Sequence, residues 1–216
     1  MGVYSSLVRF FQEGGLFMYP IMAVLAVGAA VAIERYIYLS VARTINRRLW
    51  DEVVPVLRNG KYQQAMTITA GSKSAIATIL SYGLARIKTA RRREDIEMAM
   101  EEGLMEMIPR LERRTAYLAT FANIATLLGL LGTIIGLIQA FTAVAEAGPA
   151  EKAALLSSSI SVAMNTTAFG LVVAIPLLLI YAVLQSKTTQ IVDSLEMASV
   201  KFLNMVTERA KPESGM

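Results

Sequence analysis

A chain of 216 residues that is 55% hydrophobic and 18% charged, with a mean hydropathy of +0.50, has the composition of a small membrane protein rather than of a soluble domain. It contains no histidine and no cysteine, which removes Cys nucleophiles, His bases, the common His/Cys zinc sites and any disulfide framework. The net charge of +4 does not point to nucleic acid, because the basic residues stand where membrane topology would place them.

Residues 1–15 carry Tyr4, Leu7, Val8, Phe10 and Phe11 beside Arg9, Gln12 and Glu13, the pattern of a short interfacial helix on the outer membrane face that Gly14-Gly15 would break. Residues 16–33 are uncharged and are closed by Glu34-Arg35. They read as a retained first membrane helix, 16–34, since the run is longer than a usual signal-peptide core and no small-x-small cleavage site precedes a globular domain. Residues 35–118 read as helical throughout, with turn signals at Asn59-Gly60 and at Gly71-Ser72-Lys73-Ser74. The densest basic cluster, Arg91-Arg92-Arg93, is followed at once by Glu94, Asp95 and Glu97, as in a solvated helix start or a headgroup contact. From Arg93 to Arg114 good helix formers dominate, so this run is expected to feed directly into the second membrane helix, with a local kink at Pro109.

Two stretches, 115–145 and 153–186, hold no charge at all, and each exceeds the roughly 20 residues needed to cross a bilayer. Membrane helices are expected over 119–145 and 158–184, joined by an outer loop, 146–157. Beyond them Ile191, Leu195, Ala198, Phe202 and Met205 recur at alternating spacings of four and three, an amphipathic C-terminal helix over 185–211 whose seam serves packing within the chain or between subunits. The tail, 212–216, is expected to be disordered. Of the 21 basic residues, Lys187, Lys201, Arg209 and Lys211 follow the third stretch, Arg9 and Lys152 stand in the outer segments, and the rest lie between Arg35 and Arg114. The positive-inside rule then places 35–118 and the C-terminus in the cytoplasm and the N-terminus and the 146–157 loop outside.

The two uncharged helices are not plain anchors. One carries Gly129, Gly132, Thr133 and Gly136, with Thr126 a short way upstream; the other carries Ser161, Asn165, Thr166, Thr167, Gly170 and Pro176. Small residues three and four apart report close helix packing, a role assigned here to Gly129, Gly132, Gly136, Gly170 and Pro176. Polar groups at this depth need partners. A membrane threonine can bond back to its own helix, so Ser161, Asn165, Thr166, Thr167, Thr126 and Thr133 read either as structural glue or as a conduction path. Acidic residues lie outside the membrane stretches apart from Glu34 at the inner end of the first helix, and no phosphate loop or carboxylate spacing suggests catalysis. An enzyme is not expected.

Three strings carry a resemblance: Gly14-Gly15-Leu16-Phe17-Met18-Tyr19-Pro20 with Ile33-Glu34-Arg35; Leu127 to Phe141, containing Leu128-Gly129-Leu130-Leu131-Gly132-Thr133-Ile134-Ile135-Gly136; and Thr167-Ala168-Phe169-Gly170-Leu171-Val172-Val173-Ala174-Ile175-Pro176. In order, spacing and topology, over roughly residues 14–185, the chain resembles the ExbB, TolQ and MotA family of channel-forming subunits of bacterial ion-driven motors. The resemblance implies an all-α membrane protein with three transmembrane helices, long cytoplasmic helical extensions and a homopentameric ring around a pore. Two copies of an ExbD-, TolR- or MotB-like partner would place single helices in that pore and bring an ion-binding aspartate. Thr133 and Thr167 match the family's pore threonines. The implied setting is the bacterial inner membrane, with no cofactor and no nucleic acid partner, and the implied work is energising outer-membrane import, envelope maintenance or surface motility. A proton relay needs titratable groups and these helices have none, so a proton path would require a carboxylate from another chain. Two positions depart from the pattern: Val162 stands where many ExbB- and TolQ-like members have a glutamate, and Thr126 where the family has proline. With Thr126, Asn165 and Thr166 as extra oxygen ligands, sodium is the alternative ion, and a non-conducting scaffold the alternative function.

Overall fold

In the computed structural model of the chain, the residues described are 14–210. The expectations for the outer interfacial segment before Gly14 and for the tail after Ala210 lie outside them. Among the described residues six α-helices follow one another: α1 Met18–Arg58, α2 Tyr62–Ala70, α3 Ala75–Ile87, α4 Arg93–Glu112, α5 Thr115–Glu146 and α6 Lys152–Ala210. Three helical segments, within α1, α5 and α6, hold a window long and apolar enough to cross a membrane. The fold is all-helical, as the composition and the periodicity predict.

Two compact units form, and the helices α1 and α6 contribute to both. The first comprises residues 14–34 and 114–183. Along α5 its inward face is built from Leu118, Ala122, Ala125, Gly129, Gly132 and Ala140, all buried. The spacing alternates near three and four, a straight seam of small side chains that lets another helix approach closely. The remaining faces carry large apolar side chains outward, among them Leu127, Ile134, Ile138 and Phe141 on α5 and Val172, Ile175, Leu179 and Val183 on α6. A water-soluble protein would bury such surface; lipid or another membrane helix can cover it.

The second unit comprises residues 35–113 and 184–210. Its core gathers Leu39, Val53 and Leu57 from α1, Ile79, Leu80 and Leu84 from α3, Met100 and Leu111 from α4, and Leu195 and Phe202 from α6. Gly83 allows a close approach, since a Cβ there would lie 2.9 Å from both Met100 Cγ and Phe202 Cε1. Ile191, Leu195, Ala198 and Phe202 of the predicted C-terminal seam are buried inside a single chain, whereas Met205 is half-exposed and Val206 takes the inward position. Packing within the chain therefore accounts for this seam. Arg35 is 3% exposed; it donates through Nη2 to the Leu111 carbonyl and lies 4.7 Å from the centre of the Tyr38 ring. At the start of α4, the Asp95 carboxylate accepts from the backbone N–H groups of Arg91, 2.8 Å, and Arg92, 3.1 Å. Those two bonds to the charged form hold its pKa below the usual aspartate value.

Two boundaries differ from the sequence expectation. The run from Arg93 does not continue into the second membrane helix. It stops at Glu112, Arg113 turns extended (ψ 136°), and Arg114 is left-handed (φ 66°) before α5 begins at Thr115. Pro109, the expected kink, sits inside α4 on its exposed side, where the Met105 carbonyl that loses its helical donor can reach water. Arg114 is the one non-glycine residue with positive φ among those described, a conformation costing about 1–2 kcal/mol. Its guanidinium lies 3.5 Å from the Glu34 carboxylate. At the other end, α6 starts at Lys152, inside the stretch 146–157 expected as loop, because Ala153, Ala154, Leu155 and Leu156 are strong helix formers.

Candidate functional site

The polar residues of α5 and α6 are arranged around one close helix contact. Gly129 has no side chain, and a Cβ there would lie 3.2 Å from Thr167 Cα and 3.3 Å from Gly170 Cα. At that separation the Thr167 hydroxyl crosses between the helices and donates to the Gly129 carbonyl at 2.9 Å. Thr133, one turn further along α5, reaches the same carbonyl at 3.1 Å and the Ala163 carbonyl of α6 at 3.4 Å. The Thr133 and Thr167 hydroxyls are also hydrogen-bonded to one another. Glycine packing thus creates a pair of hydroxyls shared between two helices, and each side chain remains half-buried.

Two hydroxyls carry two protons, and three oxygen partners compete for them: two carbonyls and the opposite hydroxyl. Either threonine can therefore be the donor to the other, and each keeps a lone pair that can turn outward. Such a pair can accept a proton-bearing group or donate to a carboxylate. It cannot itself ionise near neutral pH, and residues 115–145 and 153–186 contain no group that does.

Thr166, next in sequence, faces elsewhere. It is 2% exposed, its methyl occupies the space left open by Gly132, and its hydroxyl lies 2.6 Å from the Gly14 carbonyl and 3.0 Å from the Val162 carbonyl. Thr126 donates to Ala122 on its own helix at 3.1 Å. Gly132 and Thr126 are six residues apart, about 9 Å along the axis. Asn165 is half-buried and Ser161 exposed. Thr133 and Thr167 are thus brought together, while Thr126, Asn165 and Thr166 do not converge on one point. Gly136 packs on Ala163 and Gly170 on Ala125 and Gly129, whereas Pro176 lies on the exposed side of α6. The side chain of Val162 packs on Gly15, which takes the positive φ of 74° needed at the entry to α1.

One residue escaped the sequence reading. Asn123, Thr126, Leu130 and Thr133 are spaced three, four and three, one edge of α5, and Asn123 is exposed on it although it lies within an apolar helix. The spacing was visible from the sequence once Thr133 was singled out.

The model of the MotA/TolQ/ExbB proton channel family matches residues 71–197. An ExbB homolog, named as a biopolymer transport protein, from Methanothermobacter thermautotrophicus is 28% identical over 195 residues, covering 90% of this chain and 68% of the relative. The biopolymer transport protein ExbB of Salmonella typhimurium is 32% identical over 152 residues, 64% of this chain and 60% of the relative. The Tol-Pal system protein TolQ of Haemophilus influenzae is 36% identical over 83 residues, 38% and 36% of the two chains.

Proposed function

This chain belongs to the MotA/TolQ/ExbB proton channel family, and we propose that it is the channel-forming subunit of a proton-driven motor in a bacterial inner membrane. In this reading five copies ring a pore that holds a dimer of an ExbD-, TolR- or MotB-like partner, and the partner's aspartate carries the proton past the ring. The complex would drive envelope work such as outer-membrane transport, envelope maintenance or motility. The N-terminus and the segment around Gly148 lie outside, and the second compact unit lies in the cytoplasm, a placement supported by the concentration of basic residues between Arg35 and Arg114. The family is one of channels that energise transport, not of enzymes.

The observation that carries the reading is the Thr133–Thr167 hydroxyl pair, polar on both helices and without a titratable neighbour in either uncharged stretch. A wall of neutral hydroxyls is what an incoming carboxylate needs: donors that stabilise the charged form without trapping it as an ion pair. The sodium-driven alternative draws less support, since Thr166 is 2% exposed and Thr126, Asn165 and Thr166 do not converge on one point.

Ion flux in proteoliposomes tests the proposal. The chain is co-purified with its single-helix partner, including an activated partner variant, and proton and sodium gradients are imposed separately. Proton flux lost in Thr167→Ala, or on removing the partner's aspartate, is the expected result. Sodium flux with the same sensitivities moves the assignment to sodium. No flux of either ion from an assembled complex leaves the scaffold function.

A further inference from the structure

The second compact unit contains a cavity of about 320 Å³ whose lining is cationic. Arg43 and Arg47 contribute from α1 and Lys201 from α6, and among the described residues no carboxylate lines it. Asn46 and Trp50 complete the α1 side, and Ile76 brings the N-terminal turn of α3 to the wall. The spacing of Arg43, Asn46, Arg47 and Trp50, three, four and seven residues from the first, puts all four on one helix face.

Asn46 is the informative member. It is 6% exposed, and its Oδ1 accepts the backbone N–H of Ile76 at 3.2 Å, which fixes the orientation of the amide. Its Nδ2 is buried with no acceptor among the described residues. A buried amide donor without a partner is costly, and a small shift of the Asn46 side chain toward the cavity would let an oxygen ligand there satisfy it. The N-terminal end of α3, 13 residues long, adds a positive partial charge on the same side. Arg47 does approach Asp51 at 4.0 Å, but both side chains of that pair are more than two-thirds exposed, so the contact is weak and does not neutralise the cavity.

We propose that this cavity is a binding site for a phosphate-bearing anion, with Asn46 Nδ2 donating to a phosphate oxygen and Arg43, Arg47 and Lys201 balancing its charge. The volume is at the small end for ligand pockets and suits a compact phosphate or diphosphate. Two sources carry this chemistry, a soluble phosphate and an anionic lipid headgroup. Asn46 lies 11 residues beyond Arg35, about 17 Å along α1, whereas the headgroup layer on each side of the bilayer is only about 5–7 Å deep. The soluble source is therefore favoured; that comparison, unlike the site itself, rests on the topology proposed above.

The chain's only tryptophan, Trp50, lines the cavity and reports on it directly. The full chain is placed in phosphatidylcholine nanodiscs and titrated with inorganic pyrophosphate, sodium chloride keeping ionic strength constant. A saturable change in Trp50 emission is expected, with the apparent Kd raised about tenfold or more in Arg43→Gln and in Lys201→Gln, since each removes a charge-assisted partner. Asn46→Asp keeps the acceptor for Ile76 and places a negative charge in the site; it should abolish the response while leaving the thermal transition in place. The lipid source is read by repeating the titration in nanodiscs containing phosphatidylglycerol. An emission already at its saturated value there, indifferent to pyrophosphate and restored by Lys201→Gln, would mean that the phosphate comes from a headgroup. The proposal is overturned if neither lipid nor pyrophosphate gives a saturable change, or if the change is the same in Arg43→Gln and Lys201→Gln as in the unsubstituted chain.

Discussion

Gly170 and Gly129 face each other across the contact of α5 and α6 with no room for a methyl group. A Cβ on Gly170 would lie 3.1 Å from Gly129 Cα and 2.7 Å from the Ala125 carbonyl oxygen. Both obstacles are backbone, so a larger residue has to push the helices apart rather than turn a side chain aside. Gly170→Ala should destabilise the protein by about 1–3 kcal/mol, the usual range for overpacking. Gly148→Ala is the control, because no atom of the described residues lies within 4 Å of a Cβ at that position. Thermal unfolding of the two variants in the same detergent should show a lowered transition for the first and an unchanged one for the second. Equal behaviour would mean that the α5–α6 contact is looser than this geometry.

The hydroxyl pair makes a sharper prediction. Thr133→Val and Thr167→Val keep the shape of the side chain and remove one hydroxyl each. Each should reduce proton flux about tenfold or more, the loss expected when a hydrogen bond to a charged group worth about 1.5–3 kcal/mol disappears. Because the two hydroxyls share their protons, the double variant should cost little more than the worse single one. Thr167→Ser should retain most of the flux. Strictly additive losses would separate the two residues into independent roles.

The edge formed by Asn123, Thr126, Leu130 and Thr133 can be tested without measuring flux. The chain contains no cysteine, so single cysteines can be introduced without background. A charged, membrane-impermeant thiol reagent attacks the thiolate, which forms readily in water and poorly in lipid. Added from the side proposed to be cytoplasmic, it should modify Asn123→Cys at least about tenfold faster than Ile134→Cys, which stands on the outward apolar face. Equal slow rates would show that Asn123 is covered by another helix rather than by water.

Acid should loosen the start of α4. Asp95 has its pKa lowered chiefly by the N–H of Arg91, then by that of Arg92. A carboxylate with a depressed folded-state pKa contributes stability that is present above its unfolded value and lost as pH falls through the folded one. Amide hydrogen exchange at Arg91 and Arg92 should therefore be slow at neutral pH and accelerate, relative to the intrinsic rate, below the ordinary aspartate range. Asp95→Asn should remove that pH dependence. A profile unchanged by the substitution would assign the protection to another group.

The three membrane helices were legible because an uncharged run of such length has no other common fate, and the glycines and threonines that bring α5 against α6 were visible as a pattern. The direction of each polar side chain was not. Asn165, Thr166 and Thr167 are consecutive, so they point three ways whatever the phase, and only the buried seam through Gly129 and Gly132 decides that Thr167 meets Thr133 while Thr166 turns inward. The break at Arg113-Arg114 was hidden for a different reason. Arginine is a good helix former, and nothing local distinguishes Arg114 from its neighbours until φ is measured. Pro109 drew attention as the obvious breaker, yet a proline on a solvated helix face loses one hydrogen bond without ending the helix.

The bond from Thr166 to the Gly14 carbonyl ties three places in the sequence to one another. Gly14 stands at the entrance to α1, Thr166 in the first quarter of α6, and Gly132 supplies the hollow that the Thr166 Cγ2 fills. α1 cannot slide along α6 without breaking that bond, so Thr166 acts as a depth stop for α1. Its partner at 132 is then not free to vary alone. In relatives that keep a threonine at this place, the facing residue should remain glycine, and those with alanine there should carry serine or a smaller residue opposite, so the two columns of an alignment should change together.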